Sequence, residues 1–401
     1  MPAPDVALIS TYPPAGVRHG GFSGVASYTA NLAHGLAGHG ARVTVVAPRE
    51  GDEAGRAQDG PVTVERCFRR GPTALATAAR AALRTGAPVV HLQHEVFLFG
   101  GAGHVPGILP ALMGLRRRRR VVATLHQVVD PRGVDADFTR LHRVRVPAPA
   151  ARTALGGLQR TLSALAHRVI VHEPAFAGVV GGAAVIPHGI EERATPGRAD
   201  ARRRLGLGED RLNVLCFGFL APYKGFHTAL EAASLAGDRV ELVVAGGDHP
   251  RLSGRDAYAD GLRRRWDGTA RFTGYVPDAD VDAWFGAADV ALYPYPRPFS
   301  SSGALALALA HRTPVLLSAP LAATTGAAPA LVAPDDPPAL ADRLIGLADR
   351  PERRARLRSA VERMAEGRGW GDAAARHLDV YEEVTHADGP AGRRLRAGQP
   401  R

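Results

Sequence analysis

Cysteine is nearly absent from this 401-residue chain, which has only Cys67 and Cys216. That excludes a disulfide framework and a four-cysteine zinc site, and makes a reducing compartment the default. Aromatic residues contribute 6%, yet hydrophobic residues reach 45%, enough for sizeable cores and against intrinsic disorder. No stretch attains the ~18 uninterrupted apolar residues that a membrane span requires. The opening MPAPDVALISTY lacks a basic segment followed by an apolar core, so no signal peptide is expected. A soluble, cytoplasmic protein is the expectation.

Lysine is scarcer still. The chain holds 50 Lys and Arg against 39 Asp and Glu, a net charge of +11, but Lys224 is the one lysine and every other cation is arginine. With the abundant Ala and Gly, this reads as a GC-rich coding bias, so the charge gives no reason to expect a nucleic-acid partner. In a chain that uses arginine wherever it serves, the lone lysine stands out.

Length suggests two domains. In the first half, DVALISTY, ARVTVVAP, PVTVERC, APVVHLQH, RVVATLH and HRVIVH are short runs rich in Val and Ile, separated by helix-length stretches such as GVASYTANLAHGLAGHG. A second set follows from residue 211: RLNVLCFGF, RVELVVAGG, ARFTGYV, ADVALYPYP and TPVLLSA. Near-continuous apolar strands alternating with helices indicate parallel sheets buried on both faces, hence an α/β chain of two doubly wound units. The hinge is expected in EERATPGRAD. Helices are expected from Pro351 to about Ala387, before a basic tail with Gly and Pro that reads as frayed.

Candidate chemistry lies at strand ends. In FGFLAPYKGFHTALEAA a strand stops near Phe219 and a helix starts near Gly225, so Lys224 falls where open α/β sheets bind ligands. An ammonium beside a helix N-terminus suits a diphosphate; a solvated surface lysine is the plain alternative. In LYPYPRPFSSSGALALALAHRTPVLLS, Ser300, Ser301, Ser302 and Gly303 precede a helix; a single serine would suffice as a cap. The N-terminal loop YPPAGVRHGGFSGVASY carries Gly20, Gly21 and Gly24 but lacks the Gly-x-Gly-x-x-Gly spacing of a dinucleotide site. Gln93, His94 and Glu95 end one strand and His126 ends another. They lack the i, i+4 histidine spacing of zinc peptidases, and no metal is expected.

Taken together, STYPP…GGFSGVASYTANLAHGL, VVHLQHEVFLFGG, TLH, VIPHGI, FGFLAPYKGFHTALEA, ARFTGYVPDADVDAWFGAADVALYPY and the SSG-helix-TPVLLS run resemble the retaining glycosyltransferases of family 4, over almost the whole chain and in the right order. The resemblance implies a GT-B fold, two Rossmann-like doubly wound parallel-sheet domains flanking a cleft. It implies an acceptor-binding domain over 1–192, a donor-binding domain over 193–368, and a 369–401 segment whose helix returns to the first domain before the basic tail. It implies that Lys224 binds the diphosphate of a nucleotide sugar, that Gly21, Ser23 and Gly24 close over the phosphates, and that Tyr275 and Val276 flank the base. His126 would lie near the sugar and the acceptor, and Gln93, His94 and Glu95 on the acceptor side.

Two departures stand out. Many members place an arginine where this chain has Phe219. Many also carry paired glutamates, which here would fall at Phe299–Ser300 and at Leu307; the SSSGALALALA run looks like a sub-group with a Ser-Gly helix start instead. The resemblance implies a metal-independent, retaining transferase that moves a sugar from a UDP- or GDP-sugar to a small-molecule or glycan acceptor, a specialised metabolite or a cell-envelope precursor. No cofactor is expected. Lys224 and His126 are the catalytic candidates, and Phe219, Ser300, Ser301, Ser302 and Gly303 join the donor site. A sugar-nucleotide hydrolase or epimerase, and a non-catalytic nucleotide-sugar-binding subunit, remain alternatives. The arginine run Arg116–Arg120 could touch anionic lipid, but a solvated helix end is preferred.

Overall fold

A computed structural model describes residues 5–17, 24–49, 55–96, 98–100, 105–248 and 257–386. Gly20, Gly21, Ser23 and the basic tail lie outside them.

Eight strands form the first sheet: β1 (Val6–Ile9), β2 (Val43–Pro48), β3 (Gly55–Asp59), β4 (Val62–Phe68), β5 (Val89–His94), β6 (Arg120–Leu125), β7 (Arg168–Val171) and β8 (Ala184–Val185), in spatial order 3-4-2-1-5-6-7-8. Five form the second: β9 (Leu212–Phe217), β10 (Val240–Ala245), β11 (Ala270–Gly274), β12 (Val290–Tyr293) and β13 (Val315–Leu317), in order 11-10-9-12-13. All pairings but one are parallel, and β1, β2 and β5 are buried along their whole length. Helices cover both faces, so these strands carry Val, Ile and Leu on both sides and read as unbroken apolar runs.

The exception is the antiparallel pairing of β3 with β4. The sequence GRAQD has no strand pattern, and only Asp59 in it is buried. Asp59 accepts from Tyr12 Oη at 2.7 Å and from the Gly16 N–H at 2.9 Å, and its carboxylate lies 3.0 Å from His34 Nε2. Burial would raise its pKa, but these partners hold it at about 2. The edge strand thus anchors the loop after β1, which leads into the glycine-rich segment.

One core fills the second sheet. Two others lie on opposite faces of the first, and one of them includes Ala373, Ala374, Val380, Tyr381 and Val384. The helix Trp370–His386 therefore packs on the N-terminal sheet, against the helix Gly24–Gly38. The chain passes between the halves twice, and the two passages meet where Ile190 N–H donates to Arg368 carbonyl at 2.8 Å. Among the described residues no helix is long and apolar enough to cross a membrane. The arginine run ends the helix Val105–Arg116 and opens β6; Arg116, Arg117 and Arg118 are exposed, and Arg116 donates to the carbonyls of Leu165 and Ala166.

Candidate functional site

Lys224 sits in a 3-10 turn, Pro222–Lys224, between β9 and the helix Phe226–Ala236. Gly225 joins the two with φ +67°, and a Cβ there would lie 1.9 Å from the Pro294 carbonyl oxygen. The turn is thereby pressed onto the loop after β12. Gly225→Ala is expected to cost about 3 kcal/mol or more of stability, through left-handed strain and a backbone clash, measurable by urea unfolding.

The close packing directs the lysine inward. Its side chain is buried, with Nζ 2.6 Å from Tyr295 Oη and 4.4 Å above the Tyr295 ring. Burial pushes its pKa down, with Tyr223 acting weakly the other way. Among the described residues no carboxylate lies within ion-pair distance of the ammonium. A buried cation without an anion is costly, so this position favours an anionic ligand.

Tyr295 Oη is also 3.2 Å from Ser302 Oγ, and Ser302 caps the helix Gly303–Ala310 by accepting from Leu305 N–H at 3.2 Å. The ammonium is thus tied through one phenol to a helix N-terminus, whose free N–H groups and partial positive charge add to its pull on an anion. Capping consumes one serine of three. Ser301 Oγ donates across the halves to Glu173 Oε1 at 2.7 Å, and Ser300 forms an antiparallel bridge with Gln127. Val128 N–H donates to the Phe299 carbonyl at 2.8 Å, and Arg297 Nη1 reaches Asp135 Oδ1 at 2.6 Å. Residues 297–301 of the second half therefore lie along 127–135 of the first.

On the N-terminal side, Gln93, His94, Glu95 and His126 are all buried at the ends of β5 and β6. Glu95 Oε1 accepts from Gln127 Nε2 at 3.1 Å, which brings this group to the serine loop. His126 has both ring nitrogens engaged: Nε2 is 2.8 Å from Gln93 Oε1 and Nδ1 is 3.2 Å from His172 Nε2. His172 Nδ1 in turn lies 2.9 Å from the Ile186 carbonyl, so it carries the proton and Nε2 accepts. For both rings to stay neutral, Gln93 must present its NH2 to His126. Burial, reinforced by neighbouring histidines, holds the His126 pKa well below its ordinary value. His126 is brought beside the serine loop, but to take a proton from a ligand it would first have to release one of these partners.

Gly24 opens its helix and is exposed. Phe219 is partly exposed and Tyr275 is 73% exposed, while Val276 is buried. They follow β9 and β11 on the same sheet edge as Lys224. The turns meet there because Gly246 lacks a side chain: a Cβ would stand 2.1 Å from the Gly218 carbonyl oxygen.

Sequence reasoning missed Tyr295 and Glu173. Tyr295 lies inside the YPYP segment, but nothing local marks its hydroxyl as the lysine's partner. Glu173 follows β7 in RVIVHEP, the same strand-end position that singled out Gln93–Glu95. It is buried, with Oε2 lacking a hydrogen-bond partner among the described residues. Burial raises its carboxyl to about 7, against the opposing effects of Ser301 and Arg368.

Residues 22–194 match the model of Glycosyltransferase Family 4, and residues 211–350 match that of Glycosyl transferases group 1. The chain belongs to the family 4, group 1 glycosyltransferases. The chain is 31% identical over 321 residues to a D-inositol 3-phosphate glycosyltransferase of Streptomyces coelicolor, covering 75% of the chain and 65% of that relative. A relative of the same name from Streptomyces avermitilis is 34% identical over 268 residues, 60% of the chain and 56% of the relative. The chain thus spans between about half and two thirds of the length of these curated relatives. Among solved structures, the sucrose-phosphate synthase from Thermosynechococcus elongatus superimposes with a TM-score of 0.75 at 20% identity, covering 96% of this chain and 99% of that one. Anabaena Alr3699/HepE in complex with UDP-glucose superimposes with a TM-score of 0.65 at 16% identity, covering 94% and 99%. These likenesses show that the fold of the chain is GT-B.

Proposed function

We propose that this chain transfers a sugar from a UDP- or GDP-sugar to a hydroxyl of a small-molecule or glycan acceptor, with retention at the anomeric carbon and without a metal ion. The observation that carries this reading is the buried Lys224 ammonium, with no carboxylate in ion-pair distance among the described residues and tied through Tyr295 to the capped tip of the helix Gly303–Ala310. A nucleoside diphosphate supplies the missing negative charge. As the C1–O bond to the β-phosphate breaks, charge grows on that phosphate, and Lys224 with the helix amides stabilises it. The acceptor oxygen bonds to C1 on the same face, and its proton passes to the departing phosphate oxygen. The protein's contribution is alignment and charge stabilisation rather than a paired-carboxylate mechanism.

The solved neighbour crystallised with UDP-glucose favours a uridine donor, and the inositol phosphate in the relatives' name favours a polyhydroxylated acceptor. The absence of glutamates at Phe299–Ser300 and at Leu307 favours a second reading, a nucleotide-sugar-binding subunit without turnover.

A thermal-shift screen of nucleoside diphosphates tests donor binding: at a hundred times Kd the preferred one adds about 2.7 kcal/mol of stability. Product formation over a panel of donors and acceptors then separates the readings. Stabilisation without turnover for any acceptor would favour the subunit; no stabilisation by any diphosphate would sink both.

A further inference from the structure

From Val290 to Pro334, a span that holds the serine loop and the helix it caps, the chain contains no Asp or Glu. This stretch therefore offers no carboxylate of its own, although a sugar is a dense array of hydroxyl donors for which a carboxylate is the strongest natural acceptor. Glu173 reaches the loop from the other half. One of its oxygens takes the Ser301 hydroxyl at 2.7 Å, and the other, Oε2, is buried with no hydrogen-bond partner among the described residues. A buried carboxylate oxygen left unsatisfied costs free energy and calls for an explanation.

The position of Glu173 narrows that explanation. Ser301 is the residue before Ser302, and Ser302 connects through Tyr295 to Lys224, at 3.2 Å and 2.6 Å. A diphosphate held by Lys224 and the helix tip would place its attached sugar beside Ser301. We propose that Glu173 binds a ring hydroxyl of the donor sugar through Oε2, so that the carboxylate missing from the donor loop is supplied by the opposite half of the molecule. This rests on the transferase reading above. It makes sugar recognition depend on the two halves being together, since the Ser301 contact that orients the carboxyl spans them.

Calorimetric titration of the full chain with UDP, with UDP-glucose and with mono-deoxy UDP-glucose analogues tests it, GDP counterparts replacing them if guanosine is preferred. Glu173→Gln keeps the shape and a hydrogen bond to Ser301 but removes the charge. The expected result is an unchanged Kd for the bare diphosphate and a roughly ten-fold weaker Kd for the sugar nucleotide. In the wild type, one deoxy analogue should show the same ten-fold loss, and Glu173→Gln should add nothing further to it. That wild-type measurement stands even if the variant folds poorly. Equal weakening of diphosphate and sugar nucleotide, or no weakening of either, would overturn the assignment. A wild-type chain that bound none of these ligands would overturn the transferase reading and this assignment with it.

Discussion

Lys224→Met is expected to lower turnover by roughly 10²–10³-fold, the scale of losing one preorganised charge stabiliser, or about 2.7–4 kcal/mol of barrier. Methionine fills similar volume without charge, so packing against Tyr295 and Tyr223 survives. Its effect on stability should run the opposite way. The ammonium is buried, its pKa is depressed by burial, and no carboxylate among the described residues compensates it. Removing it relieves a desolvation cost, so the variant should melt at the same temperature as the wild type or above it. A structural lysine would give the reverse pattern, lower stability with proportionate activity. The decisive measurement is steady-state turnover of the preferred sugar nucleotide beside thermal unfolding. Wild-type turnover in Lys224→Met would remove the lysine from the mechanism.

Acid should destabilise the N-terminal half strongly. His91, His126, His172 and His377 are buried and His188 half-buried around Tyr28 and Tyr381, and desolvation depresses all five pKa values, to about 3 for His172 and about 4 for His377. They also hold the helix Trp370–His386 to the sheet and to the helix Gly24–Gly38: His91 Nδ1 is 2.7 Å from Tyr381 Oη, and His377 Nε2 is 3.4 Å from Tyr28 Oη. Between the unfolded value of 6.5 and the depressed folded values, the unfolded chain binds protons that the folded chain refuses. The stabilisation is therefore complete above pH 6.5 and is lost as pH falls. By pH 5, His172 and His377 each account for about 2 kcal/mol of loss. Glu173 opposes them: its folded pKa of about 7 lies above its unfolded 4.5, so it gains about 2 kcal/mol over the same change. One carboxyl against five rings leaves a net loss. Unfolding followed from pH 7.5 to 5 should show a falling midpoint, with a shallower slope for His377→Gln. A flat profile would mean that these rings are not buried as neutral groups.

The strands were legible because parallel strands covered on both faces must be apolar on both sides, and RVVATLH or RVELVVAGG admits few other readings. The polar edge strand β3 was not, because it buries a single side chain, Asp59, whose partners Tyr12 and Gly16 lie more than 40 residues away. Lys224 was legible through rarity and its place between a strand and a helix. The roles of the serines were not. Local rules allow any of the three to cap the helix, and only the fold makes Ser302 the cap while Ser301 turns to Glu173, 128 positions earlier.

By itself, then, the sequence determined the α/β class, the order of strands and helices, and the set of strand-end loops from which chemistry could come. These follow from local periodicity and turn chemistry, which act over a few residues. The tertiary structure decided which groups are deprived of water and what they face instead: a lysine set against a tyrosine, histidine rings held neutral, and a glutamate spanning two halves. Desolvation and hydrogen-bond partnership depend on proximity in space, and no spacing along the chain encodes contacts between residues a hundred positions apart.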